Sequence, residues 1–116
     1  MFKVIIAGGR NFTDYQKLEK ACDKILSKIT EEIEIVSGAA RGSDLLGEQY
    51  AKNRGYTIKR FKPDWSIGKK AGILRNIEMG DYADAAIIFW DGQSKGSKHM
   101  IDYSKKCSLK VRVVNY

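Results

Sequence analysis

The chain has 116 residues, 43% of them hydrophobic and 30% charged, with a formal net charge of +7. That length suits one domain with its own core and is short for two, so a single domain over residues 1–116 is expected. The composition argues against intrinsic disorder, and no apolar run approaches the ~20 residues that span a bilayer; a cytoplasmic protein with no membrane partner is expected.

Residues 3–7 (KVIIA) form a short β-branched run stopped by Gly8-Gly9, which predicts a buried strand feeding a tight loop. From Thr13 or Asp14 as N-cap, Tyr15, Leu18, Cys22, Ile25, Leu26 and Ile29 recur at helical spacing and predict an amphipathic helix. Residues 33–37 (IEIVS) predict the second strand. Ser43 or Asp44 then caps a helix running to Arg54, with Gly55 as its stop. A third strand, 57–61, leads to Pro63, the only proline; the residue before a proline is pushed to extended geometry, so 62–64 is an irregular exit. Helix 69–82 is expected to turn Ile73, Leu74 and Ile77 inward. Residues 85–89 (AAIIF) form the most apolar strand, 91–97 a polar loop, and a last helix through Met100, Ile101, Tyr103 and Cys107 precedes a closing strand, 109–114.

The order is βαβαβαβαβ. Strands separated by helices pair in parallel through right-handed crossovers, which predicts an α/β, three-layer doubly wound, Rossmann-like domain with a five-stranded parallel sheet. Ligands in such sheets bind beyond the carboxyl ends of the strands, where the strand order reverses.

The residues just after the strands are therefore the informative ones. They are glycine-rich and polar: Gly8-Gly9-Arg10-Asn11, Ser37 to Asp44, and Asp91 to Ser97. Glycine lets backbone amides approach an anion, and a helix N-terminus adds free N–H groups, so these loops form a candidate phosphate cradle. Turn punctuation is the plain alternative for each loop alone. Neither the Rossmann glycine spacing nor a Walker loop is present.

Lys+Arg against Asp+Glu number 6 and 6 over residues 1–40, 9 and 4 over 41–80, and 6 and 4 over 81–116, so the basic surplus is central. Arg10, Arg41 and Arg75 fall on or near the predicted rim, where a guanidinium suits phosphate. Lys69 and Lys70 sit at a predicted helix start, the end that disfavours cations and favours an anionic partner. Trp65 is read either as a stacking surface for a base or ribose or as a plug over the core; Trp90 is read as packing and His99 as a surface residue. Cys22 and Cys107 are expected to be buried thiols. No His, Cys and carboxylate set has metal-ligand spacing, so neither a metal nor a cofactor is expected, and no nucleophile-elbow sequence is present.

Residues 4–12 (VIIAGGRNF), 35–44 (IVSGAARGSD), Asp64-Trp65, 70–76 (KAGILRN), Met79 and 83–97 together resemble the YspA-like family of unknown function, within the SLOG (Smf/DprA-LOG) superfamily. The resemblance implies a Rossmann-like domain that binds a nucleotide or nucleotide-derived small molecule, and relatives that often self-associate and occur in phages and bacteria. Segment 37–44 is similar to the DNA-processing branch, which implies single-stranded DNA as an alternative partner, met through the basic middle region. Arg75 and Gly96-Ser97 are similar to the phosphoribohydrolase branch, which implies N-glycosidic hydrolysis of nucleoside monophosphates as a second alternative. That branch carries a glutamate where this chain has Met100, and a thioether supplies neither charge nor a proton. Asp44, Arg75 and Asp91 are the substitute catalytic candidates.

The expected ligand-binding set is thus Gly8, Gly9, Arg10, Ser37, Gly38, Arg41 and Gly42 for phosphate and Asp44 for ribose hydroxyls. Trp65, Lys70, Arg75, Asn76, Ser94, Gly96 and Ser97 complete it from the other side of the switch point.

Overall fold

In the computed structural model, which describes residues 1–116, the elements follow in the order β1 (Phe2–Gly8), α1 (Tyr15–Leu26), β2 (Ile33–Ser37), α2 (Ser43–Arg54), β3 (Thr57–Arg60), a short 3-10 turn (Trp65–Ile67), α3 (Lys70–Tyr82), β4 (Ala85–Trp90), α4 (Lys95–Lys106) and β5 (Lys110–Asn115). All five strands are parallel, in the spatial order β3-β2-β1-β4-β5. The chain winds outward from β1 to β3, then returns to the far side of β1 to lay down β4 and β5. Right-handed crossovers in opposite directions put α1 and α2 on one face and α3 and α4 on the other. This is the α/β, three-layer Rossmann-like architecture read from the element order.

Alternation along the central strands fills both cores. Val4 and Ile6 of β1, with Ile35, Ile87 and Phe89, meet Leu18, Cys22, Leu26 and Tyr50 of α1 and α2. Ile5 and Ala7, with Val36, Ala86 and Ile88, meet Met79, Met100 and Ile101 of α3 and α4. Burying each such Ile or Leu contributes about 1.5–3 kcal/mol.

Local chemistry explains most boundaries. Asp14 caps α1, its side chain accepting from the Lys17 N–H, and Gly55 ends α2 in the left-handed conformation. Several expectations need correction. Ile29 lies beyond the end of α1, though it still packs against that core. The N-cap of α2 is Gly42, not Ser43 or Asp44: the Ser43 hydroxyl donates to the Gly9 carbonyl at 3.0 Å, and Asp44 is turned back to accept from the Ala40 N–H at 3.3 Å. Gly96 and Ser97 belong to the first turn of α4, capped by Ser94, and not to the loop. β3 stops at Arg60 and β5 runs one residue later than expected.

The inward face of α3 also differs. Ala71, Asn76, Met79 and Gly80 are buried, whereas Ile73 and Leu74 are 42% and 44% exposed. Gly80 lets α4 pack closely there, with the Tyr103 ring against it. Cys22 is buried as expected, but Cys107, at the end of α4, is only half-buried.

Candidate ligand-binding cleft

The loops after β1, β2 and β4 converge where the strand order reverses, between β1 and β4, and enclose a cleft of about 480 Å³. Its floor is backbone and thioether: Gly8 and Gly9 at the end of β1, with Met79 and Met100 from the helices on that face. Arg10 and Arg41 reach it from the loops after β1 and β2, and Lys69 and Arg75 from the start of α3, against two carboxylates, Asp44 and Asp91. None of the four cations is in an ion pair with a carboxylate.

Gly42 lets this assembly close. Its φ is +79°, and a Cβ there would lie 2.5 Å from the Gly9 carbonyl oxygen, so the β1 and β2 loops meet backbone to backbone. No side chain caps the N-terminus of α2, where the Ser43 N–H donates to the Gly9 carbonyl at 3.2 Å.

Asp44, 3% exposed, sits behind the rim. Burial pushes its carboxyl up to about 6, against the pull of Arg75 and the amides of Ala40 and Gly8. Arg75 is half-buried and its guanidinium is held below the usual arginine range, first by burial and also by Arg10, while Asp44 opposes that shift. One Arg75 nitrogen donates to the Gly38 carbonyl and Nε donates to Asn76 Oδ1 at 3.1 Å. Asn76 in turn donates to the Gly96 carbonyl at 3.3 Å and lies 3.3 Å from His99 Nδ1. This chain of contacts braces the loop after β2 against the start of α4.

Asp91 is different. Its side chain accepts from the Gln93 and Ser94 N–H groups at 2.8 and 2.9 Å, and these bonds hold its carboxyl below the usual range. It is fixed as an anion that shapes the entry to α4 and is unsuited to donate a proton. Among the three catalytic candidates, Asp44 alone has an acidity suited to proton transfer near neutral pH.

The structure gathers Gly8, Gly9, Arg10, Arg41, Asp44, Arg75, Asn76, Asp91, Ser94, Gly96 and Ser97 around the cleft. Ser37, Gly38, Gly42, Trp65 and Lys70 do not line it. Ser37 is buried and donates instead to Glu48 at 2.7 Å, because that buried carboxylate needs donors, the other being Arg60 at 2.8 Å. Gly38 stands behind, where a Cβ would lie 2.6 Å from Asp44 Oδ2 and 2.7 Å from Arg75 Nη1. Lys70 points outward while its neighbour Lys69 lines the cleft. Trp65 is 56% exposed and therefore no plug over the core; its ring centroid lies 6.0 Å from the Arg10 guanidinium at the outer rim. His99 is half-buried beside Asn76 and not a free surface residue. The central basic surplus is divided, since Arg54 and Arg60 are engaged in ion pairs.

Ala7, Asn11, Ala40, Gly72, Ile73 and Tyr116 complete the lining. Asn11 and Ala40 were visible within the two loop motifs. Tyr116 was not among the residues singled out from the sequence, although it follows β5; its hydroxyl rests against Gly9 and its ring packs on Phe12 at 4.7 Å.

A cation-rimmed cleft at the switch point of a doubly wound sheet is the architecture of a Rossmann-like, nucleotide-related ligand-binding fold. The chain belongs to the YspA, cpYpsA-related SLOG family, whose sequence model matches residues 2–68. It is 32% identical to the gene 61 protein of Mycobacterium phage D29 over 118 aligned positions, which cover 96% of this chain and 94% of the relative. Its fold is similar to the X-ray structure of TM1055, a structural-genomics target, with a TM-score of 0.69 and 20% identity over 96% of this chain and 72% of that one.

Proposed function

We propose that the cleft binds an anionic nucleotide or nucleotide-derived small molecule, such as a nucleoside phosphate or an ADP-ribose-like ligand, as a sensing or sequestering domain. The observation that carries this reading is the convergence of Arg10, Arg41, Lys69 and Arg75, none in an ion pair, on a glycine floor beside the uncapped start of α2. Four cations facing two carboxylates leave a surplus of two positive charges, which suits a phosphate monoester or a diphosphate bridge. Arg10 and Arg41 receive the phosphate, with Gly8, Gly9 and Gly42 allowing backbone approach. Asp44 accepts from a ribose hydroxyl, and Trp65 offers an exposed ring at the rim for a base. Family membership and the phage relative support a role in the cytoplasm of a bacterial or phage-infected cell.

Thermal-shift and calorimetric titration with nucleoside mono- and diphosphates and ADP-ribose test it. Each charge-assisted phosphate contact is worth about 1.5–3 kcal/mol, so Arg10→Ala and Arg41→Ala each weaken binding by roughly 10- to 100-fold without unfolding the chain. Unchanged affinity in both variants refutes the assignment.

The acidity of Asp44 favours a second reading, N-glycosidic hydrolysis of a nucleoside monophosphate, with Asp44 as the proton-transferring group and Arg75 beside the phosphate. Release of free base by wild type and its loss in Asp44→Asn support it; a bound nucleotide that stays intact leaves binding alone.

A further inference from the structure

A second basic surface lies away from the cleft, between α1 and the edge strand β5. The charges of α1 are sorted by face. Its acids turn to α2, where Glu19 and Asp23 pair with Arg54 at 3.1 and 2.7 Å. Its lysines Lys17, Lys20 and Lys24, spaced three and four apart, line the opposite stripe. With Asp14, Gln16, Ala21 and Val114 they enclose a groove of about 470 Å³.

The floor of this groove is β5. Strand order leaves one edge of β5 unpaired, and Val114 packs toward the α1 side of the sheet. Alternation puts Arg112 and Lys110 on that same face, and both are exposed. Lys17 Nζ donates to the Asn115 carbonyl at 3.0 Å, which fixes the level of the helix against the strand. Seven helical residues rise roughly 10 Å, as do three strand residues, so Lys24 comes level with Arg112. The three lysines line the groove, and Arg112 and Lys110 continue the basic surface along the exposed face of β5 outside that lining, five cations in all. None of them is in an ion pair, and the groove's one acid, Asp14, is engaged by the Lys17 backbone N–H.

Like charges held together without counter-charges raise the local potential and draw an anionic partner. Ala21 and Val114 are the only apolar residues of the groove, which leaves no hydrophobic centre for a protein interface or a lipid surface. A groove of about 470 Å³ suits a single phosphate chain. We propose that this groove binds the phosphate backbone of a single-stranded nucleic acid, independently of the small-molecule cleft. With no aromatic side chain on its walls to stack bases, recognition is of backbone and not of sequence.

Fluorescence anisotropy with labelled oligothymidylate tests the proposal. About five phosphate contacts on a single strand predict a loss of affinity on the order of 100-fold between about 50 and 200 mM salt. The exposed triple variant Lys20→Gln/Lys24→Gln/Arg112→Gln is expected to weaken binding at least ~10-fold at the lower salt and to flatten the log–log salt slope by about 2. Lys20→Arg/Lys24→Arg, which keeps the charges, retains binding, and Arg10→Ala/Arg41→Ala leaves it unchanged. Absence of binding at low salt, a triple variant with wild-type affinity and slope, or tighter binding of a duplex of equal length overturns the proposal. Nucleotide titration of the triple variant separates this result from the fate of the cleft.

Discussion

Replacing Asp44 by asparagine should stabilise the ligand-free protein at neutral pH and do progressively less as the pH falls. The carboxyl is 3% exposed, and burial raises it from 3.8 to about 6. The folded state therefore holds this proton more tightly than the unfolded chain does. Its favourable contribution is complete below about 3.8, declines as the pH rises toward 6, and is gone above it. A displacement of about two pH units corresponds to about 3 kcal/mol at ~1.4 kcal/mol each. Asparagine keeps an acceptor for the Ala40 N–H but carries no charge to desolvate. Urea unfolding of both proteins from about pH 4 to pH 8 reads the effect as a difference of differences, in which the other carboxylates, Glu48 included, cancel to first order. The variant's advantage should be about 2 kcal/mol greater at the upper pH than at the lower, where the unfolded carboxyl is already partly ionised. An advantage that stays constant across the range, or grows toward acid, refutes the argument that burial governs Asp44.

Gly38→Ala places a methyl group against Asp44 Oδ2 and Arg75 Nη1, so it should cost about 1–3 kcal/mol and lower the thermal midpoint; an unchanged midpoint would show that both side chains move aside freely. The Ser104 hydroxyl is buried on α4 without a hydrogen-bond partner, and Ser104→Ala should raise stability by about 1 kcal/mol in the same urea assay, with a loss of stability counting against it.

Features set by near neighbours in sequence were the legible ones. β1 declares itself through VIIA, Asp14 through its place before an amphipathic repeat, and Gly55 through its position after Arg54. Features set by packing were not. Ile73 and Leu74 look like core residues, yet the contact of Tyr103 with Gly80 goes with an inward face made by Ala71, Asn76, Met79 and Gly80. The loop rule located Arg10, Arg41 and Asp44 at the cleft, yet it also drew in Ser37, whose side chain is claimed by Glu48 from eleven residues away. Lys69 and Lys70 differ only in helical phase at the start of α3, which charge pattern does not reveal.

The pairing of β1 with β4 joins Val4 to Ala85 and Gly8 to Phe89, and the Lys3 N–H reaches Asp84, 81 residues further on. A nascent chain that has emerged only as far as β3 therefore carries Gly8, Gly9, Arg10 and Arg41 with nothing opposite them. β1 keeps one edge open until β4, paired through Val4 and Ala85, has been made. Such distant closure favours slow, late assembly. The contact that completes the sheet also completes the cleft, so the cleft becomes receptive only once β4 has paired with β1.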